Sequence, residues 1–414
     1  MGSPWPGSSS GCVKSGSDPG RAARLDAAPP GAVRLAVLPP LSLYVHLPWC
    51  VRKCPYCDFN SHEPVGDLPE QAYVDALIAD LEGLLPAVWG RRVSTIFIGG
   101  GTPSLFSARA IDTLLSAVRA RIPVEPEAEV TLEANPGTVE AARFRGYRNA
   151  GVNRVSLGIQ SFDAAMLRAL GRIHDPDDAR RAIEVALKAF DNVNLDLMYA
   201  LPGQSLAMAR ADLEEAARLG TAHLSAYQLA IEPNTAFHRR PPALPDHDAA
   251  ADMQRLAEET LAAAGFGHYE TSAFARPGRA CRHNLNYWTF GDYLGIGAGA
   301  HGKISFPDRV TRHARVKHPR DYLAAAPAGR SLAEDRAVPA SELPFEFMMN
   351  ALRLVDGFPV ALFSERTGQP IIRVERALGA AEAKGLIERD WQRIRPSARG
   401  RHFLNDLLGE FLGA

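Results

Sequence analysis

Three cysteines stand close together in the stretch LSLYVHLPWCVRKCPYCDFNS, residues 41–61: Cys50, Cys54 and Cys57, spaced C-x3-C-x2-C. Thiolates this near in sequence cannot meet along an extended strand, but in a loop they can converge on one small object. Three is an awkward number for structural zinc, which takes four ligands. It suits a [4Fe–4S] cluster with three irons held by protein and one left open. Zinc stays as the alternative for this stretch, because His46 or His62 could supply a fourth ligand. Burial of three plain hydrophobes fits poorly, since Arg52, Lys53, Asp58 and Asn60 make the loop polar.

An open iron needs a ligand from outside the protein. The spacing, with the aromatic Tyr56 just before the last cysteine, resembles the radical S-adenosylmethionine (SAM) superfamily. That resemblance implies SAM chelating the fourth iron, with electron transfer from the cluster cleaving its C–S bond. The protein's share is positioning and exclusion of water.

Loops that do chemistry need elements to hold them. From Leu41 to about Phe274 the pattern alternates strand and helix, with strands expected at 41–46, 93–98, 129–133, 154–159, 193–198 and 224–229. Helices are expected at 71–85, 108–121, 139–149, 177–190, 206–219 and 248–264. Such alternation implies a parallel sheet with right-handed crossovers. Six units fit a partial (β/α)6 barrel, an α/β fold, better than a closed eightfold one.

Each expected strand ends in polar or glycine-rich residues. The cysteine loop follows the first and Gly99-Gly100-Gly101-Thr102-Pro103 the second; the third closes on Glu133-Ala134-Asn135-Pro136. The fourth runs into Gln160-Ser161, the fifth carries Asp196, and the sixth leads to Glu232-Pro233-Asn234. Alone, any of these is more often a turn, a cap or a salt bridge. Together they mark the carboxyl ends of barrel strands, where active sites sit. The glycine run lets backbone approach a ligand closely, and no G-K-[ST] follows it, so it is not a phosphate loop. Glu133 and Asp196 suit ribose hydroxyls or an ammonium, and Arg172 suits a carboxylate.

Composition bounds the rest. At 414 residues, 46% hydrophobic and 22% charged, the chain has material for one large domain and a smaller one. A net charge of −1 calls for neither nucleic acid nor an anionic membrane. No apolar run approaches the roughly 20 residues of a transmembrane helix. Five cysteines, three in one loop, are no disulfide framework, and cluster chemistry implies a reducing, cytoplasmic location. Residues 1–38, rich in Gly, Ser, Pro and Ala, read as a disordered extension. Cys12 lies within it, and a targeting peptide is disfavoured by Asp18 and Asp26.

The barrel core is assigned to 39–275, and residues 276–332 form an aromatic and glycine-rich segment closing its mouth. Here His283 lies near Tyr287 and Trp288, which suits a flat apolar molecule with a metal at its centre; Cys281 is a second candidate ligand. The glycines at 291, 295, 297 and 299 read as tight turns. Residues 333–414 read as helices at 345–354, 361–365, 374–384 and 400–411, with a short hairpin over 386–394. This resembles a winged-helix domain without a basic excess, so a packing or lid role is expected.

Taken together, LYVHLPWCVRKCPYCDFNSH, FIGGGTPSL, LEANPGT, LGIQSF, LGRIH, NLDLMYALPGQ, IEPNT, HNLNYW and GIGAGAHG resemble the HemW haem chaperones, a radical SAM family related to oxygen-independent coproporphyrinogen III oxidase. The resemblance runs from about Leu38 to the C-terminus. It implies Cys50, Cys54 and Cys57 as cluster ligands. It implies SAM contacts at Tyr44, Tyr56, Gly100, Gly101, Thr102, Glu133, Gln160, Arg172, Asp196 and Ala230, and haem contacts at His283, Asn284, Tyr287 and Trp288. Two departures from the oxidase turn the reading toward haem carriage. Phe59 stands where the oxidase has a further Cys, and the HNxxYW motif is present at His283–Trp288. The implied partners are haem, an acceptor such as a respiratory enzyme, and a reductant for the cluster; a homodimer is compatible. The alternative is the oxidase itself, decarboxylating propionates, an activity the two departures argue against.

Overall fold

The computed structural model describes residues 33–138 and 140–413. The six expected strands all form: β1 Leu41–Leu47, β2 Val93–Gly100, β3 Val124–Ala134, β4 Arg154–Gln160, β5 Val193–Tyr199 and β6 His223–Gln228. Each pairs in parallel with the next. The intervening helices include Glu70–Leu84, Ala108–Arg121, Ala141–Ala150, Pro176–Ala189, Leu206–Arg218 and His247–Ala263. The expected start of the third at Val139 lies outside the described residues, and so does Cys12.

Local sequence explains these helix starts. The Ser107 hydroxyl accepts from Ala110 N at 3.2 Å. Asp175 and Asp178 bond each other's backbone N–H in a capping box, and Pro176 opens the helix with a preset φ.

The strands are two-faced in an unusual sense. Odd positions of β1 (Leu41, Leu43, Val45, Leu47) are buried against the helices in the main apolar core. The other face runs through Ser42, Thr95, Thr131, Ser156, Asn194, His223 and Ser225, polar and also buried. A strand with both faces covered reads as continuously buried, and here the inner face is largely hydrogen-bonded rather than apolar, Thr131 Oγ1 being without a partner among the described residues.

The sheet extends well beyond six strands. Its twelve-strand order is β12-β11-β10-β9-β1-β2-β3-β4-β5-β6-β8-β7. Added are β7 Gly267–Glu270, β8 Ala273–Ala275, β9 Asp292–Ile296, β10 His301–Phe306, β11 Arg309–Arg315 and β12 Leu332–Ala337. Of these β9 runs parallel to β1, and the rest pair antiparallel. The segment 276–332 is therefore largely sheet and helix; Gly297 (φ +105°) and Gly299 (φ +77°) fall in the turn expected of them, whereas Gly295 does not. Gly295 lies inside β9, and a Cβ there would sit 1.8 Å from the His301 carbonyl oxygen. The glycine marks close contact of two backbones. Residues 333–337, expected in the helical C-terminal part, belong to β12, whose exposed Glu334, Asp335 and Arg336 suit an edge strand.

The C-terminal part has helices Leu343–Ala351, Val360–Thr367 and Glu375–Ala383 and a small sheet of β13 Phe358–Pro359, β15 Arg393–Pro396 and β14 Ile387–Arg389, in that order. The single last helix expected over 400–411 is instead two short ones, Ala398–His402 and Leu404–Gly409, broken at Phe403 (φ −112°, ψ 48°). Phe347 centres this core, edge-on to Phe290, Phe358 and Phe363 with ring centroids 5.0–5.9 Å away. Val33 and Leu35 are buried in the same cluster, and Leu35 N donates to Pro307 O at 2.9 Å. The end of the stretch read as disordered over 1–38 is thus packed, because two apolar residues find a core distant in sequence.

Candidate functional site

The cysteine loop leaves β1 and is pinned at its base. Cys50 N donates to His62 O (2.9 Å) and His62 N to Pro48 O (2.7 Å). The glycine run after β2 packs on this loop: Gly101 N donates to Leu47 O at 2.8 Å and Thr102 N to Trp49 O at 2.7 Å. A Cβ on Gly101 would lie 2.5 Å from Trp49 O. These glycines bring backbone against backbone, and the N–H groups of Gly100 and Gly101 are spent within the protein, on Glu133 and Leu47.

The three half-buried thiols open onto a cavity of about 330 Å³ at the strand ends. Among the residues implied for SAM, Tyr56, Gly100, Gly101, Thr102, Glu133, Gln160, Arg172, Asp196 and Ala230 line it; Tyr44 does not. No three His, Cys, Asp or Glu side chains among the described residues gather tightly enough to hold a single metal ion. A mononuclear zinc site would need that convergence. His46 is moreover committed, with Nδ1 to Tyr44 OH and Nε2 to Asn60 O, both at 2.9 Å.

The donor set fits a cluster that spreads its thiolates around one larger object. Burial pushes the Cys50 and Cys57 thiols up, opposed at Cys50 by the Thr102 and Ser61 hydroxyls. Bound metal would have to displace those protons. Arg172 supplies a fixed cation, with Nη1 3.6 Å from Cys54 Sγ and Nη2 donating to Gly158 O at 2.8 Å. Its Nε is buried with no hydrogen-bond partner among the described residues.

The acids of this cavity are held differently. Glu133 Oε2 accepts from Gly100 N at 3.1 Å, yet burial, with the Asp196 charge beside it, pushes the carboxyl up to about 8. Asp196 is raised by burial, opposed by hydrogen bonds from Ser156 Oγ (2.7 Å) and Asn194 Nδ2 (2.9 Å). Gln160 sits at φ +69° beside an irregularity between Gly158 and Gln160. A non-glycine residue held there is strained, and such kinks re-aim side chains at sites. Sequence reading missed Ser156, Gly158, Asn194 and Tyr227. The available signal was polar or small residues at alternate positions late in β4, β5 and β6.

A second, larger cavity of about 770 Å³ adjoins the first. Asp58, Phe59, Ser61, Gly100 and Glu133 line both, so they form the wall between them. Tyr44, His46, His62, Tyr287, Trp288, Tyr293, His301 and Arg312 are among its remaining walls, and Asn350 of the C-terminal part reaches it.

The HNxxYW motif falls on the helix Arg282–Trp288, and its members face different ways. Tyr287 and Trp288 line the larger cavity; His283 and Asn284 line neither. His283 is only 1% exposed. Its Nδ1 lies 2.7 Å from Thr95 Oγ1 and its Nε2 2.9 Å from Tyr287 OH, and burial pushes its pKa down to about 3. Nδ1 is occupied by the inner polar face of the sheet and Nε2 by Tyr287 of the same helix, so His283 acts on the cavity by fixing Tyr287. Glu129 of β3 anchors the same helix, accepting from Arg282 N and His283 N, each at 3.1 Å. Cys281 is wholly buried with its thiol pushed up to about 12 by burial, and donates to Glu129 Oε1 at 3.4 Å. It is no open ligand either.

Residues 44–216 match the model of the radical SAM superfamily and residues 338–403 that of the HemN C-terminal domain. Similar curated proteins are named heme chaperone HemW. The one from Escherichia coli K12 is 52% identical, over 91% of this chain and 99% of its own. That from Haemophilus influenzae is 48% identical over 91% and 98%, and that from Mycobacterium tuberculosis 38% over 92% and 97%. Among solved structures, the coproporphyrinogen III oxidase HemN of Escherichia coli superposes with a TM-score of 0.77 at 23% identity, over 90% of each chain. At that identity the likeness concerns the fold.

Proposed function

As the chain belongs to the heme chaperone HemW family of the radical SAM superfamily, we propose that it carries haem in the larger cavity and delivers it to an acceptor protein. The observation that carries this reading is the pair of cavities sharing one wall, three thiols on one side and aromatic rings with imidazoles on the other. The larger volume, about 770 Å³, lies within the roughly 300–1,000 Å³ of pockets that enclose small-molecule ligands. Tyr287, Trp288 and Tyr293 offer it ring faces.

Cys50, Cys54 and Cys57 would hold a [4Fe–4S] cluster, which when bound supplies one-electron reduction to a SAM chelated at its open iron. The chain's own residues set the surroundings. Arg172 offsets thiolate charge beside Cys54. Glu133 and Asp196 offer acceptors to the amino N–H groups and ribose of SAM, Gln160 a polar tip, and Thr102 a hydroxyl near Cys50. The cluster requires a reductant and a reducing compartment, so the cytoplasm is the proposed location. Among the described residues no helix is long and apolar enough to cross a membrane. The acceptor is proposed to be a respiratory haem protein, and a homodimer is part of the same reading.

Decarboxylation of coproporphyrinogen III is the competing reading. Phe59, where the related oxidase carries a Cys, lines both cavities and offers no thiol there. Anaerobically reconstituted protein would be titrated with haem and, separately, with coproporphyrinogen III. Stoichiometric haem uptake followed by transfer to a haem-free acceptor is expected. Formation of protoporphyrinogen would overturn the chaperone reading.

A further inference from the structure

We propose that His301, on β10, supplies the imidazole that ligates haem iron in the larger cavity, and that His283 is a positioning residue. The inference rests on haem occupying that cavity.

Four histidines come into question near this space, and three are compromised. His283 lies behind the wall with both nitrogens engaged. His46 is 5% exposed and likewise bonded at both nitrogens. His62 spends Nε2 on Asn60 Oδ1 at 3.2 Å and packs edge-on to His318. His301 lines the cavity, is exposed, and its ring makes no hydrogen bond to any described residue.

Strand geometry aims it inward. Side chains two apart on a strand share a face, and His301 and Lys303 both line the cavity. Across the β10–β11 ladder Lys303 faces Arg312, another lining residue, and His301 faces Ala314, whose small side chain leaves room beside the ring. Lys303 and Arg312 cannot compete for iron. They are cations, tied to Asp292 at 2.9 Å and to Glu346 at 2.7 Å.

The test is ferric haem added to the full-length, cluster-reconstituted protein, read by Soret position, spin state and affinity. In His301→Ala the Soret band should shift with loss of the histidine-ligated spectrum, and affinity should fall about tenfold or more as one axial bond is lost. Added imidazole should restore the wild-type spectrum. His283→Gln, which keeps a hydrogen-bonding side chain against Thr95 or Tyr287, should leave the Soret position unchanged. An unaltered spectrum in His301→Ala overturns the assignment, and so does a lost one in His283→Gln with cluster content and melting temperature intact. If wild type takes up haem but passes none on, the chaperone reading falls and the ligand assignment stands. If wild type takes up no haem, both fall.

Discussion

The smaller cavity takes its walls from consecutive strand ends, within residues 50–232, whereas the larger one draws on residues from Tyr44 to Asn350. In the first, acids and thiols sit half-buried, their charged forms disfavoured until a ligand arrives. In the second, two of the cations are already paired inside the protein: Lys303 with Asp292, Arg312 with Glu346. One cavity gathers thiols and raised acids, and the other gathers aromatic rings, imidazoles and cations. The difference shows how one shared wall can divide two unlike spaces at the strand ends.

The largest effect should come from removing a thiol. Replacing Cys50, Cys54 or Cys57 with Ala should take the reconstituted protein from about four irons per chain to almost none. Haem uptake by the larger cavity should persist. Loss of both together would mean that the two cavities are one functional unit.

The shared wall can be struck directly. Gly100 adopts φ +118°, and a Cβ there would come 2.8 Å from the His46 ring. Gly100→Ala should destabilise the fold by about 1–2 kcal/mol or more, seen as a lower denaturation midpoint. It should weaken SAM and haem binding alike; weakening of one alone would show that the wall belongs to that cavity.

Proton linkage should separate them more gently. Glu133 titrates at about 8, above its ordinary 4.5, because burial disfavours the carboxylate. Its folded form therefore holds a proton that the unfolded form has lost. Its stabilising contribution is full below pH 4.5 and is lost as pH rises to about 8. If the amino N–H groups of SAM need the ionised carboxylate as acceptor, affinity should rise ~tenfold between pH 7 and 9. Glu133→Gln should flatten that rise in calorimetry and make the protein more stable than wild type at high pH. Haem uptake should stay level over the same range, since His301, with its lowered pKa, is already neutral.

The smallest effect is expected at Phe59, which is 60% exposed. Phe59→Cys should change stability by no more than about 0.5 kcal/mol and should not yield protoporphyrinogen from coproporphyrinogen III. Turnover in that variant would show that one side chain divides the two activities.

Much of the smaller cavity was legible because it is local. Strand periods and helix caps are carried by neighbouring residues, so β1 to β6 and their polar ends could be read directly. The cysteines announce themselves by spacing. What the sequence left open depends on partners far along the chain. Whether His283 faces a ligand or the sheet is decided by Thr95, 188 residues away. Gly295 of β9 reads as a turn until β10 lies across it, and Val33 and Leu35 read as tail until a C-terminal core receives them. A helix of seven residues with aromatic groups on several sides has no preferred face of its own. The sequence by itself determined which residues could form the elements and the thiol loop. Only the tertiary structure decided which side of Arg282–Trp288 meets solvent space, because burial of a polar ring is favourable only where the fold supplies partners for both its nitrogens.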